Sequence, residues 1–147
     1  MSRFQFKNNF KIAVFDLDGT LWNGIAPFDE GLKVLNYLKS CGLRLYIASF
    51  HTAAEECCHY MRIAHYFHGF HYGQDRSKLA MIREVLRREE NADVAEHEVV
   101  FFDDLPSNVE EVCGSSAVRA VKVEADAGVR WFHIPEIFTC EPAALLQ

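Results

Sequence analysis

The chain has 147 residues and a formal charge of −6, and 50% of its residues are hydrophobic. This length fits a single domain over residues 1–147, with enough chain to bury a full core. The acidic balance argues against broad binding to nucleic acid or an anionic membrane surface, and no apolar run approaches the roughly 18 residues of a membrane span.

Cysteine usage and the first residues indicate a compartment. The chain has five cysteines, an odd number without a repeating spacing, and its start lacks the apolar stretch of a signal peptide. Free thiols in a reducing environment are the simpler interpretation, so we predict a cytoplasmic location.

Short apolar runs alternate along the chain with segments of helical periodicity. A phenylalanine-rich start (Phe4, Phe6 and Phe10) could add an edge strand or cover a partner surface. In chain order the pattern then predicts a strand over Lys11–Phe15, a helix over Asp29–Cys41, a strand over Arg44–Ser49, a helix from an N-cap at Thr52 to about Arg62, a short strand over His68–Tyr72, a helix over Ser77–Glu90, a strand over Glu98–Phe102, a helix capped by Ser107 and running to about Val112, a strand over Val118–Val123 and a short strand over Trp131–Ile134.

The alternation of strands and helices predicts an α/β fold. Parallel βαβ units build a Rossmann-like, doubly wound and mainly parallel sheet with helices on both faces. In such sheets ligands bind beyond the carboxyl ends of the strands. The residues that follow each predicted strand are therefore the candidates for function.

Two carboxylates, Asp16 and Asp18, come directly after the first strand. Side chains at positions i and i+2 of a strand share a face, so the two can converge where the strand ends. Like charges that close repel each other unless a cation lies between them or one is protonated. A polar turn that closes the strand is the alternative interpretation, because Asp and Gly are common in turns.

Further polar groups are predicted at the same edge of the sheet. Ser49 ends the second strand, Asp103 and Asp104 end a later one, and Lys78 opens the helix before that later strand. Carboxylate oxygens in this number suit Mg²⁺, whereas a hydroxyl and an ammonium group suit a phosphoryl group.

These motifs resemble those of the haloacid dehalogenase superfamily of phosphatases, in the family's order and over most of the chain. Within that superfamily the details of the first and last motifs are most similar to magnesium-dependent phosphatase-1. The matching residues are Asp16-Leu17-Asp18-Gly19-Thr20, Ser49, Lys78 and Asp103-Asp104 after Val99-Val100-Phe101-Phe102.

The resemblance implies a Mg²⁺-dependent phosphomonoesterase that forms an aspartyl-phosphate. Asp16 would be the nucleophile, and Asp18 would protonate the leaving oxygen and then deprotonate the hydrolytic water. The Asp16 and Asp104 carboxylates and the backbone carbonyl of Asp18 would hold Mg²⁺. Ser49 and Lys78 would bind the phosphoryl oxygens.

The resemblance also implies supporting positions around this set. Asp103 would support the metal ligands or reach the metal through a bridging water, Thr20 would shape the first loop, and Asn108 would order the loop after Asp104. Phe50 is grouped with the phosphate-binding residues, as a platform facing the substrate or as a loop residue packed on the core. Trp22 either gates the rim or packs beneath the loop.

The short intervals between motifs leave no room for a cap domain. The intervals from Asp18 to Ser49 and from Ser49 to Lys78 are each consumed by one helix and one strand or loop. The site is therefore expected to be open, and to admit phosphotyrosine, another phosphorylated protein side chain or a sugar phosphate.

Other functions stay open at this point. A polynucleotide-end phosphatase is an alternative that the acidic charge disfavours, and a non-catalytic binding protein is another. A receiver-like signalling module uses similar groups in a different order. The histidines at positions 65, 68 and 71 invite a zinc site, although their spacing does not match a paired zinc motif. The oligomeric state is left undetermined.

Overall fold

The structure is a computed structural model that describes residues 4–8, 10–136 and 138–142, with side-chain environments for residues 10–134. It contains seven strands and four α-helices in these ranges. In chain order they are β1 (Phe4–Asn8), β2 (Ile12–Phe15), α1 (Asp29–Ser40), β3 (Arg44–Ser49), α2 (Ala54–Tyr60), β4 (Gly69–Tyr72), α3 (Lys78–Leu86), β5 (Val99–Asp103), α4 (Pro106–Ser115), β6 (Arg119–Lys122) and β7 (Phe138–Pro142).

Five strands form one parallel sheet in the order β4-β3-β2-β5-β6. The central strand β2 pairs with β3 on one side and β5 on the other, so the chain reverses its direction of travel across the sheet at β2. A crevice is expected at such a reversal, beyond the carboxyl ends of these strands. The predicted α/β fold with a parallel sheet is confirmed.

The first strand does not extend the main sheet. β1 pairs with β7 in a separate two-stranded antiparallel sheet, so the N-terminal segment forms a strand that is not an edge strand of the main sheet. Phe10 lies outside β1 and is buried in the core. The side chains of Phe4 and Phe6 fall outside the described residues.

Apolar side chains cover both faces of the sheet. Ala13 and Phe15 of β2 pack with buried residues of α1 and α2, whereas Ile12 and Val14 pack with α3 and α4. All four of these side chains are fully buried. Burial on both faces explains why the strands read as continuous apolar runs rather than alternating ones.

Two predicted helix caps are wrong, because other side chains accept the amide hydrogens there. α2 begins at Ala54, and the N–H of Ala53 donates to His51 Nδ1 at 3.0 Å, so Thr52 is not the N-cap. α4 begins at Pro106, and the N–H of Leu105 donates to Asp103 Oδ1 at 2.9 Å. Ser107 therefore lies inside the first turn instead of capping it.

Two further segments differ from the prediction. Trp131–Glu136 is a 3₁₀ helix rather than a strand, because His133 Nδ1 accepts the N–H of Arg130 and closes a turn. α3 ends at Leu86, before the predicted Glu90, and a 3₁₀ turn over Glu89–Asn91 follows. Every helix in the described ranges is too short or too polar to cross a membrane.

Candidate functional site

A cleft of about 230 Å³ lies at the carboxyl edge of the parallel sheet. The ends of β2, β3 and β5, the loops that follow them and the first turn of α3 form its walls. The lining residues are Asp16, Asp18, Ser49, Phe50, His51, Lys78, Asp104, Leu105 and Asn108.

Seven of the nine residues that the sequence singled out line this cleft. The other two, Thr20 and Asp103, are fully buried. The Thr20 hydroxyl donates to Asp16 Oδ2 at 3.4 Å, and Asp103 shares the Lys78 ammonium with Asp16. The topology thus brings together residues from four separate segments of the chain.

Lys78 is a buried cation between two aspartates. Its Nζ donates to Asp16 Oδ1 at 2.7 Å and to Asp103 Oδ2 at 2.9 Å, and the residue is 1% exposed. The rings of Phe50 and Phe101 lie 4.8 Å and 5.7 Å from Nζ. Because a buried charge must be paired, this arrangement fixes the lysine and the first aspartate relative to each other.

Three carboxylates converge at the floor of the cleft. Asp16, Asp103 and Asp104 each offer an oxygen, and these atoms lie within 4.8 Å of one another. Burial raises the pKa of Asp16 to about 7, because Lys78 offsets the lost hydration only in part and Asp103 adds repulsion. Burial also raises the pKa of Asp104. A second cation would relieve this repulsion, and hard oxygen donors of this kind fit Mg²⁺.

Asp103 already has partners for both of its oxygens. Oδ2 accepts from Lys78 and from the side-chain amide of Asn108, at 2.9 Å and 3.0 Å. Oδ1 accepts from the backbone N–H of Leu105. These donors hold Asp103 in place. Asp16 also has a donor on each oxygen, but Asp16 and Asp104 line the cleft whereas Asp103 is fully buried, so those two are the carboxylates that can reach a new ligand.

Asp18 differs from the buried carboxylates. It is exposed at the wall of the cleft, and its Oδ1 accepts a hydrogen bond of 2.6 Å from Trp22 Nε1. Trp22 itself is 8% exposed and belongs to the core. Of the two interpretations of Trp22, the structure shows packing beneath the loop, together with a polar contact that the sequence did not indicate.

Ser49 and His51 line the cleft at the end of β3 and on the loop that follows it. The Ser49 side chain is almost fully buried, and its Oγ accepts from the backbone N–H of His51 at 3.1 Å. The hydroxyl hydrogen of Ser49 is then left to donate elsewhere. His51 Nδ1 accepts from Ala53, which assigns its proton to Nε2.

Sequence reasoning missed His51 and Leu105 as lining residues. Both lie within two positions of a predicted site residue, on loops that follow strand ends. The signal that could have found them is this position in the loop. Leu105, after β5, is an apolar side chain with 47% exposure, and Phe50, after β3, is half-buried.

The zinc interpretation of the histidine triplet finds no support. Among the described residues, the one group of three potential metal-binding side chains is Asp16, Asp103 and Asp104. His71 is engaged instead by Glu84, with 3.1 Å between Nδ1 and Oε1.

Comparisons with known proteins address the fold. No protein-family model matches the sequence, and no curated protein sequence matches it. Solved structures do match. A haloacid dehalogenase-like family hydrolase from Streptococcus pneumoniae superimposes with a TM-score of 0.66 at 12% identity, over 92% of both chains.

Two further structures share the architecture. One is the N-terminal part of a Bacteroides fragilis protein, which contains a phosphatase domain complexed with Mg; its TM-score is 0.71 at 16% identity, over 88% of this chain and 41% of that one. The other is a haloacid dehalogenase superfamily hydrolase from Ehrlichia chaffeensis, with a TM-score of 0.58 at 19% identity over 75% and 56% of the chains. The chain thus has the fold of haloacid dehalogenase-like hydrolases.

Proposed function

We propose that this protein is a Mg²⁺-dependent phosphomonoesterase of the haloacid dehalogenase superfamily, acting through an aspartyl-phosphate on Asp16. The observation that carries the proposal is the buried Lys78 that joins Asp16 to Asp103, with an exposed carboxylate, Asp18, at the cleft wall. The motif order supports the assignment to the superfamily and the similarity to magnesium-dependent phosphatase-1 within it.

The acidic residues at the cleft floor would hold the metal. Asp16 and Asp104 would contribute carboxylate oxygens and Asp18 its backbone carbonyl. When bound, Mg²⁺ would neutralise charge on the phosphate and on the attacking carboxylate. Lys78 has a third N–H beyond the two that it gives to Asp16 and Asp103, and this hydrogen would bind a phosphoryl oxygen together with the Ser49 hydroxyl.

The reaction then proceeds in two displacements. An Asp16 oxygen attacks phosphorus, the bond from phosphorus to the leaving oxygen breaks, and Asp18 gives its proton to that oxygen. Water next attacks the aspartyl-phosphate while Asp18 takes one of the water's protons. The bond between Asp16 and phosphorus breaks, which releases inorganic phosphate and restores both side chains.

The walls of the cleft support an aryl phosphate as the preferred substrate. Phe50 and Leu105 line the cleft as apolar surfaces on two different loops. Such surfaces suit the ring of a phosphotyrosine better than the hydroxyl groups of a sugar phosphate, which need polar partners. The intervals that could carry a cap hold α1 in one case, and α2 and β4 in the other. We therefore infer an open site that reaches phosphorylated protein side chains.

Hydrolysis of p-nitrophenyl phosphate, with Mg²⁺ and with EDTA, tests the proposed function. We expect turnover in the presence of Mg²⁺ only, and a loss of at least about a thousandfold in Asp16→Asn. Asp93→Asn, the same substitution at an exposed position outside the cleft lining, is the matched control and should keep wild-type activity. Full activity in Asp16→Asn would refute the mechanism. A panel of phosphotyrosine peptides and sugar phosphates then tests the preference for aryl substrates.

A further inference from the structure

Asp18 stands out because an exposed carboxylate is held by a buried donor. The 2.6 Å distance between Trp22 Nε1 and Asp18 Oδ1 is short for a hydrogen bond with an N–H donor. In the described part of the chain, the indole is the one side chain that donates to Asp18. The other oxygen of Asp18 is left for the cleft, which Asp18 lines.

The donor is fixed in its own position. The Trp22 ring belongs to the core, and the Trp22 carbonyl accepts from the N–H of Gly19 at 2.9 Å. Backbone bridges link Trp22 to Asp18 and to Pro27. The indole N–H is therefore anchored to the same loop that carries Asp18.

We propose that Trp22 is a positioning residue that orients Asp18 for proton transfer, an assignment that rests on the proposed function. An exposed aspartate exchanges freely between rotamers, and only some of them reach the leaving oxygen. With Oδ1 tied to the indole, Oδ2 carries the proton that Asp18 gives to the leaving oxygen. The same oxygen takes the proton of the water that cleaves the aspartyl-phosphate.

This role predicts a dependence on the leaving group that a purely structural role does not. Phenyl phosphate releases a basic oxygen that needs a proton from Asp18, whereas p-nitrophenyl phosphate releases a stable anion. In Trp22→Phe, which keeps an aromatic ring and loses the N–H, we expect phosphoenzyme formation to slow by about 10- to 100-fold with phenyl phosphate. With p-nitrophenyl phosphate the first turnover should slow by less than about threefold, while steady-state turnover falls because hydrolysis of the phosphoenzyme also needs Asp18.

The second tryptophan of the chain supplies the matched control. Trp131 is 42% exposed and packs edge-on against Tyr37, away from the cleft lining. Trp131→Phe should leave both substrates unaffected. In an Asp18→Asn background, Trp22→Phe should add no further dependence on the leaving group, because the acid that it positions is already absent.

A measurement without turnover tests the contact itself, including the case in which Trp22→Phe does not fold. The two tryptophans give two indole N–H signals in a ¹H–¹⁵N spectrum, and Trp131→Phe assigns them. Asp18→Asn should shift the Trp22 signal upfield and leave the Trp131 signal in place. An unshifted Trp22 signal, or equal slowing of phosphoenzyme formation from both substrates in Trp22→Phe, overturns the assignment while leaving the proposed function intact. If the wild-type protein hydrolyses neither substrate with Mg²⁺, the proposed function fails and the role of Trp22 fails with it.

Discussion

The acidic cluster requires a glycine at position 19, because a side chain there would collide with Asp104. The φ of Gly19, +74°, lies in the left-handed region, and an added Cβ would lie 2.6 Å from Asp104 Oδ2. The glycine therefore serves the backbone turn and the position of Asp104 together.

A comparison of Gly19→Ala with Gly24→Ala should separate the cost of backbone strain from the effect on Asp104. Gly24 has a φ of +94°, yet an added Cβ would meet nothing within 4 Å. Both variants should lose about 1 kcal/mol of unfolding free energy from backbone strain. Only Gly19→Ala should also weaken Mg²⁺ binding, because its methyl group displaces the Asp104 carboxylate. Urea denaturation and calorimetric Mg²⁺ titration measure the two effects, and equal Mg²⁺ affinity in both variants would contradict this reading.

Individual residues also show which features of the site the sequence can predict and which it cannot. The placement of Ser49 and Lys78 at the rim was predictable, because each directly ends a strand or opens a helix. The hydrogen bond from Trp22 to Asp18 was not, since it depends on how the loop between them folds back. The pattern of an aromatic residue in an apolar stretch indicates burial and carries no information on what the indole N–H contacts.

At the scale of elements, α3 links the site to the edge of the sheet. Its first residue places the buried ammonium in the cleft, and Glu84 on its second turn contacts His71 of β4. Two arginines flank the same edge strand: Arg88 donates to the carbonyl of His68, and Arg76 to the carbonyl of Tyr72. These contacts occupy carbonyls at both ends of β4 that would otherwise invite pairing with another strand.

The contact between α3 and β4 makes stability depend on pH through His71. Burial lowers the pKa of His71 below its ordinary 6.5, and Glu84 offsets this shift only in part, while Arg88 and Arg76 add to it. A group with a lower pKa in the folded state contributes stability above its unfolded pKa and loses it as the pH falls. The loss attributable to His71 therefore begins below about pH 6.5.

Relative to His71→Asn, we expect the wild-type urea midpoint to fall as the pH goes from about 7 to about 5. The pKa of Glu84 is lowered by His71 and Arg76 in spite of its burial, so its own contribution is lost only below its ordinary value of 4.5. Asp16, whose pKa is raised to about 7, titrates in the same range with the opposite effect on stability, but it does so in both proteins, so the difference between their slopes isolates the histidine. Identical slopes for the two proteins would show that His71 is not the group responsible.

The strands were easier to predict than the helix starts. A strand buried on both faces must be apolar throughout, and that requirement is visible in runs such as Val99–Phe102. The caps failed because the acceptors at the starts of α2 and α4 are His51 and Asp103, residues that belong to the site. Local sequence preferences do not show that a side chain of the site also accepts a backbone N–H at the start of a helix.

At the scale of the whole molecule, the net charge of −6 and the carboxylate cluster both destabilise the folded state through repulsion between like charges. Folding brings three aspartates together with one lysine, which costs free energy until a divalent cation binds. Because the unfolded chain does not assemble this cluster, a cation that binds the folded state raises stability by mass action.

Mg²⁺ should therefore raise the thermal midpoint, and EDTA should reverse the effect. At a Mg²⁺ concentration of about one hundred times the dissociation constant, the gain is about 2.7 kcal/mol. Asp104→Asn should raise the midpoint of the metal-free protein, since it removes one repelling charge, and should abolish most of the Mg²⁺ response. Differential scanning fluorimetry measures both quantities, and a Mg²⁺ response of wild-type size in Asp104→Asn would place the ion elsewhere.

The strand order, with β2 between β3 and β5, also determines when a growing chain acquires its site. The first three strands of the sheet in chain order, β2, β3 and β4, can pair before β5 has been synthesised. At that stage β2 has no partner on its β5 side, so Asp16 follows a strand with an unpaired edge. The other two aspartates of the cluster are still missing, because they come at the end of β5 and directly after it. A nascent chain that stops short of that strand carries the proposed nucleophile without the proposed metal ligand Asp104, so the proposed reaction can begin only after β5 has paired with β2.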